Sequence, residues 1–110
     1  MTDKIVVLSS CSSSEEAERL ARTLLEAKLA ACVSVLTQNR SFYWWKDKIE
    51  DVSECLLVIK TKREYFEQVR LKLESAHSYS LPEVLAIPVI EGSPAYLAWM
   101  DAELPGSPDA

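Results

Sequence analysis

The sequence contains one histidine, two glycines and three cysteines in 110 residues, and each scarcity argues against a class of site. Two glycines are too few for the glycine-rich loops that cradle phosphates in nucleotide-binding proteins. The cysteines are odd in number and lie far apart without a C-x-x-C spacing, which argues against a disulfide framework or a zinc knuckle. We therefore expect Cys11, Cys32 and Cys55 to be free thiols, the last two within apolar strands.

A long apolar run and a basic surface are also missing. No apolar stretch approaches the ~20 residues that cross a bilayer, and residues 1–4 do not resemble the start of a signal peptide. We therefore expect a cytoplasmic protein without a membrane partner. Twelve basic residues are interleaved with 17 acidic ones, for a formal net charge of −5. Because no basic stripe could displace counterions from a phosphate backbone, nucleic acid is not an expected partner.

The hydrophobic content of 48% is enough for one domain to close a core. We predict a single domain over residues 1–104 and a loose tail over residues 105–110. Capping-box pairs predict where helices begin: Ser12 with Glu15 or Ser13 with Glu16, and later Thr61 with Glu64. Ser93 before Pro94 predicts a short third helix, whose apolar side would contain Tyr96, Trp99 and Met100.

Short apolar or aromatic runs predict the strands, over residues 5–8, 31–36, 41–45, 55–59 and 84–90. The order strand, helix, strand, strand, helix, strand, followed by an extra helix, fits an α+β fold, a ferredoxin-like βαββαβ sandwich. The two wholly apolar strands, 5–8 and 55–59, should be central. Pro88 cannot donate a ladder hydrogen bond, so the last strand should lie at an edge. Both main helices would then cover one face of the sheet.

Four consecutive aromatic residues, 42–45, would place two rings on each face of a strand. One sheet face cannot bury them all, so a covering loop or a partner chain is expected. The alternative is that all four pack within one subunit.

The strongest candidate site is the stretch 77–83, between a predicted helix and a predicted strand. It combines His77, Tyr79 and Glu83 in a loop that packed elements could hold still. The plainer interpretation is an ordinary helix-to-strand connection with a surface histidine.

Several motifs together resemble the CutA family, the proteins named for divalent-cation tolerance. The resemblance covers E-x-x-L-A-A-C-V over residues 26–33, S-x-Y-x-W-x-x-K-I over residues 41–49 and the strand end I-K-T at residues 59–61. It continues with H-x-Y-x-x-P-E over residues 77–83 and E-G-x-x-x-Y-L-x-W over residues 91–99. This resemblance implies a ferredoxin-like homotrimer, a long hairpin over residues 32–59 that reaches into neighbours, and binding of copper or another divalent cation.

This chain departs from the family pattern at several positions. Asp47 replaces the usual hairpin glycine. Some bacterial members have a cysteine and a second histidine where this chain has Ser9 and Ala76, so only His77 remains of that metal set. From their positions, Cys11, His77 and Glu83 are the best candidate metal ligands, because they lie after the first strand and before the fourth, which are neighbours in the proposed sheet. The opposite strand directions leave open whether these ends coincide, and a trimer could supply missing ligands from an adjacent subunit.

A second hypothesis is a trimeric sensor resembling the PII-type signalling proteins, which bind small molecules in clefts between subunits. Lys60 could meet an anion there. The apolar wall could be formed by Tyr79, Trp44 and Trp45. A solvated lysine at a strand end is the plainer interpretation of Lys60. General acid–base work by His77 and Glu83 is the only candidate catalysis, and no substrate is indicated, so we do not expect an enzyme.

Overall fold

The computed structural model describes residues 1–104; the predicted tail at 105–110 lies outside the described residues. A 3₁₀ turn, Arg63–Tyr65, precedes the second helix. The strands and helices are β1 Lys4–Cys11, α1 Ser14–Glu26, β2 Cys32–Trp45, β3 Lys48–Lys62, α2 Phe66–Ala76, β4 Leu85–Pro88 and α3 Pro94–Glu103. This is the predicted α+β ferredoxin-like order with its additional C-terminal helix.

The four strands form one antiparallel sheet in the order β2-β3-β1-β4. The prediction that β1 and β3 are central is confirmed, as is the edge position of β4. The last strand is shorter than predicted, because only Leu85–Pro88 belongs to it and not the whole of residues 84–90. Pro88 lacks the amide hydrogen that would continue the ladder.

Helices α1 and α2 pack on one face of the sheet and enclose the core. Along each strand, residues that point into this core alternate with residues that point to the opposite face of the sheet. The fully buried side chains include Val7, Leu57 and Ile59 from the strands and Leu20, Leu24, Val69 and Leu73 from the helices. Tyr96 and Trp99 of α3 stay half-exposed, whereas Met100 and Leu104 are buried.

The first capping prediction holds for Ser13, whose hydroxyl accepts a hydrogen bond from the Glu16 amide at 3.2 Å. The second, Thr61 with Glu64, is wrong. β3 continues to Lys62, and the buried Thr61 hydroxyl donates to the Leu29 carbonyl at 2.7 Å. The threonine thus ties β3 to the loop after α1 and does not begin a helix. Ser93 occupies the N-cap position of α3, with no side-chain cap bond.

Strands β2 and β3 form a hairpin longer than the rest of the sheet, paired from Cys32 with Lys60 to Trp45 with Lys48. The two predicted pieces of β2 are one strand, interrupted by a bulge between Leu36 and Asn39. At the tip, Lys46 and Asp47 both have positive φ, as two-residue hairpin turns of the type I′ class require. Asp47 can take the place of glycine there because aspartate tolerates this conformation.

Neither α1 nor α2 covers the opposite face of the sheet. Strand residues Val6, Leu8 and Val58 lie on it half-buried, and Leu85 is 58% exposed. The aromatic side chains of the hairpin are exposed too, Trp44 by 71%. They do not all pack within one subunit, so that alternative is wrong for the single chain. Among the described residues, no helix is both long and apolar enough to span a membrane.

Candidate functional site

The candidate loop begins where α2 ends, at His77, and its histidine is an interior residue. The His77 side chain is 0% exposed. Its Nε2 lies 2.8 Å from the Ser10 carbonyl oxygen, and its Nδ1 accepts the Tyr79 amide at 3.1 Å. Because a carbonyl can only accept, Nε2 bears the proton, and both ring nitrogens are occupied. His77 therefore fastens the loop to the end of β1.

Glu16 holds the same loop from the start of α1. Its carboxylate is buried and accepts hydrogen bonds from the Ser78 amide at 2.7 Å and the Ser78 hydroxyl at 2.9 Å. It also accepts from the hydroxyl of Ser12 at 3.0 Å and the amide of Ser12 at 3.3 Å. Burial alone would raise the pKa of Glu16, but these hydrogen bonds outweigh burial and lower it. Glu16 is therefore a buried, ionised side chain that joins the start of α1 to the loop at Ser78.

Cys11, the last residue of β1, lies one residue beyond the Ser10 carbonyl that His77 contacts. Its thiol is buried and donates a weak hydrogen bond to the Ser13 carbonyl, with the two atoms 3.5 Å apart. Burial, and next the charge of Glu16, raise the pKa of Cys11 to about 11. The thiol is therefore protonated at neutral pH, whereas metal binding needs the thiolate.

Tyr79 connects the loop to the hairpin. Its hydroxyl donates a hydrogen bond of 2.7 Å to Glu54 Oε2, and its ring centre lies 4.9 Å from that of His77. Burial, reinforced by the neighbouring carboxylate of Glu54, raises the pKa of Tyr79. The Glu54 side chain is itself only 7% exposed. The loop thus positions a protonated phenol against a nearly buried carboxylate.

A groove of about 780 Å³ lies between the hairpin and this loop. Rings and carboxylates line the hairpin side, among them Tyr43, Trp44, Trp45, Glu50 and Glu54. Tyr79, Leu81 and Glu83 line the loop side.

Glu83 interacts with the hairpin carboxylate across this groove. Burial, and next the charge of Glu54, raise the pKa of Glu83 above its ordinary value. A positive charge in the groove would relieve this repulsion.

The predicted site residues divide between three places. Trp44, Tyr79 and Glu83 line the groove, whereas His77 and Cys11 lie in the interior behind it. Lys60 lies on the uncovered sheet face, with its Nζ 3.7 Å from Cys32 Sγ and 3.5 Å from Ser34 Oγ. Within residues 1–104, no three His, Cys, Asp or Glu side chains come together as metal ligands would.

Two residues of the site, Glu16 and Glu54, were not among the sequence candidates. Glu16 could be predicted only as a helix cap, because its contact with Ser78 joins residues 62 positions apart. Glu54 could have been noticed as a carboxylate directly before the wholly apolar run at residues 55–59. Such a position places a charge at the rim of a core.

Comparison with known proteins gives the family. The family model for the CutA1 divalent ion tolerance protein matches residues 5–103. The chain belongs to the CutA family. The divalent-cation tolerance protein CutA of Archaeoglobus fulgidus is 46% identical over 89 residues, covering 81% of this chain and 86% of that protein. The CutA protein of Pectobacterium atrosepticum is 38% identical over 104 residues, 94% of either chain.

The fold agrees with solved CutA structures. That of the Archaeoglobus fulgidus protein, described as a periplasmic divalent cation tolerance protein, has a TM-score of 0.90 with 40% identity, covering 93% of this chain and 99% of that one. The ferredoxin-like sandwich with its long β2–β3 hairpin is therefore a CutA fold.

Proposed function

We propose that this CutA-family chain forms a cytoplasmic homotrimer that binds divalent cations, copper among them, and acts in divalent-cation tolerance without catalysing a reaction. The observation that best supports cation binding is the pairing of Glu54 and Glu83 in one groove. Burial, and next the charge of Glu54, raise the pKa of Glu83, and a bound dication would relieve the repulsion between the two carboxylates.

The proposed ligand set begins with Glu83 and Glu54. Carboxylates are hard donors that suit Mg²⁺ or Mn²⁺, whereas copper favours imidazole and thiolate. For His77 to bind copper through Nδ1, the Tyr79 amide must leave that nitrogen. For Cys11 to bind, its thiol must lose a proton. We therefore propose that copper, if bound, engages His77 after a local rearrangement or takes donors from an adjacent subunit.

Trimer formation is supported by what one chain leaves uncovered. One sheet face and the aromatic hairpin both present apolar surface to solvent, and contiguous patches of this kind are typical of subunit interfaces. A closed assembly would cover them, and the projecting hairpin is long enough to reach a neighbour.

Calorimetric titration with Cu²⁺, Zn²⁺ and Mg²⁺ tests the metal proposal. Glu83→Gln and His77→Ala separate the carboxylate from the imidazole, and Glu91→Gln, at an exposed position, is the matched control. We expect Glu83→Gln to weaken metal binding and Glu91→Gln to leave it unchanged. Identical heats for wild type, Glu83→Gln and His77→Ala would contradict the proposed ligands.

A second candidate function, a PII-like sensor, is favoured by the groove itself. Its volume of about 780 Å³ falls within the range of small-molecule sites, and Trp44 and Tyr79 contribute its apolar wall. Thermal-shift screening against metabolites, with and without metal, distinguishes this function from metal binding. A metabolite that shifts the melting temperature without metal would support the sensor.

A further inference from the structure

Two of the three cysteines face each other across the central strands of the sheet. In the register of β1 with β3, Cys11 lies directly opposite Cys55. Both side chains belong to the core under the helices, where they are 0% and 6% exposed. Residues directly opposite one another in an antiparallel pair have neighbouring side chains on the same face. The core that surrounds the two thiols is built by one chain, so it does not depend on contacts between subunits.

The hydrogen-bond pattern of the ladder sets the distance between the two backbones. Just outside the paired strands, the Arg63 amide donates to the Asp3 carbonyl at 2.8 Å, and these two residues continue the same register. Hydrogen-bonded pairs recur at every second residue of an antiparallel ladder. Cys11 and Cys55 lie an even number of residues further along, so they are such a pair, with Cα atoms about 5.5 Å apart. Disulfides occur at Cα separations of roughly 4.4–6.8 Å.

We propose that Cys11 and Cys55 are a reversible redox site, which peroxide oxidises to a cross-strand disulfide. The inference goes beyond the proposed function and does not depend on it. A disulfide at a hydrogen-bonded pair brings the Cβ atoms closer than the ladder prefers, and strained disulfides are readily reduced. A bond that forms and breaks suits the proposed cytoplasmic location, where disulfides are usually transient or redox-sensing.

The oxidation takes two steps, and the exposures assign a role to each cysteine. Cys55 retains some exposure, so its thiolate attacks hydrogen peroxide; the O–O bond breaks, hydroxide leaves and Cys55 becomes a sulfenic acid. The enclosed Cys11 sulfur then attacks the sulfenic sulfur, and the S–O bond breaks as the S–S bond forms. The released hydroxides take up the two thiol protons. Two thiols and one peroxide thus give one disulfide and two waters, and two electrons pass from sulfur to oxygen.

The cysteine pair lies beside the residues that hold the candidate loop. Ser10, which precedes Cys11, accepts the loop histidine through its carbonyl, and Glu54, which precedes Cys55, accepts the loop tyrosine. The Cys11 thiol also donates to the Ser13 carbonyl at the start of α1, and a disulfide has no hydrogen to donate. Oxidation would therefore alter the start of α1 and the strand ends that position the loop.

The test is a titration of the protein, as it assembles in solution, with hydrogen peroxide. Free thiols are counted after denaturation, and mass spectrometry of peptides maps any disulfide. Cys11→Ala and Cys55→Ala each remove one member of the pair. Cys32 pairs with Lys60 across β2 and β3, so Cys32→Ser removes a thiol outside the pair and serves as the matched control.

We expect peroxide to remove two of the three thiols of the wild type and to lower the mass of each chain by two hydrogen atoms. The mapped disulfide should join Cys11 to Cys55, and dithiothreitol should restore both thiols. Cys32→Ser should lose both of its thiols at the wild-type rate. Neither alanine variant should form a disulfide within one chain, and Cys55 in Cys11→Ala should gain oxygen.

Three results would overturn the inference. A mapped disulfide that joins Cys32 of two chains would place the reactive thiol on the other sheet face. Oxygen added to Cys55 of the wild type without a disulfide would show that Cys11 does not reach it. Retention of all three thiols at peroxide concentrations that oxidise a free dithiol would show that the core excludes peroxide. Mapping needs no substitution, so a variant that fails to fold leaves the test intact, and none of these results bears on metal binding.

Discussion

The two faces of the same sheet differ in how far one chain completes them. On the helix-covered face, Val7, Leu57 and Ile59 are fully buried, whereas on the other face Leu85 and Ile87 remain 58% and 48% exposed. Both sets are apolar, and the two faces alternate along the same strands. The strands therefore present two apolar faces, and α1 and α2 cover only one of them.

The loop at residues 77–83 shows a similar division on a smaller scale. Its first part is closed, since His77 and Ser78 are bonded to Ser10 and Glu16. Its second part, with Tyr79 and Glu83, faces the groove. The closed part therefore positions the open part.

Adjacent leucines of β3 provide the sharpest comparison of the two faces. Leu57→Ala removes a fully buried side chain and should lower the free energy of unfolding by about 2–5 kcal/mol. Leu56→Ala, on the uncovered face, should retain the fold of one chain and weaken its assembly. Urea unfolding by circular dichroism and light scattering on dilution measure these two effects. An equal loss of chain stability in both variants would remove the distinction between the faces.

The closed part of the loop is tested at Glu16. Glu16→Gln should lower the free energy of unfolding by about 2–3 kcal/mol, because the hydrogen bonds that Ser12 and Ser78 donate would lose their charged acceptor. Glu18→Gln on the exposed side of α1 should leave the free energy of unfolding nearly unchanged.

The pH dependence of this loss follows from the lowered pKa of Glu16. A carboxylate whose pKa is lowered by folding stabilises the fold at pH values above its ordinary pKa of about 4.3. This stabilisation is lost as the pH falls through the pKa of the folded state. The difference between wild type and Glu16→Gln should therefore shrink under acid. Thermal melts from pH 7 to pH 3 measure this difference in stability. A difference that grew on acidification would contradict the ionised state of Glu16 in the folded chain.

The junction between loop and groove is tested at Tyr79. Tyr79→Phe removes the hydrogen bond to Glu54, and we expect it to lower the free energy of unfolding by about 1–2 kcal/mol. Tyr43→Phe alters a half-exposed ring on the same groove and should cost less. Chemical denaturation compares the pair, and equal losses would show that the Tyr79 hydroxyl contributes no specific stability.

The smallest effect is expected at Glu83, and it has the opposite sign. Because the folded pKa is raised, the ionised side chain opposes folding at pH 7, and this opposition fades as pH falls and the group protonates. Glu83→Gln should therefore be slightly more stable than wild type at pH 7 and equal to it near pH 4. Thermal melts at both values test this, and a destabilised variant at pH 7 would contradict it.

Much of the fold could be predicted from local patterns. The apolar runs at 5–8 and 55–59 gave the central strands, Pro88 gave the edge, and the Ser13 capping box gave the start of α1. Thr61 misled because a threonine followed three residues later by a glutamate is compatible with a strand end when the hydroxyl finds a distant carbonyl. Short motifs do not reveal such long-range partners.

The site was less predictable, because its residues are joined by tertiary contacts. The loop at 77–83 could be singled out by composition, but whether the His77 nitrogens would be free depended on Ser10 and on the backbone of Tyr79. The contact between Tyr79 and Glu54 joins residues 25 positions apart. No sequence period indicates such a pair.

One chain leaves a sheet face and an aromatic hairpin exposed to solvent, and we infer that association covers them. Size-exclusion chromatography with light scattering at low micromolar concentration tests it most directly. We expect a mass of three chains for the wild type. A mass of one chain would show that the uncovered face is stable in water and that association is not needed to cover it.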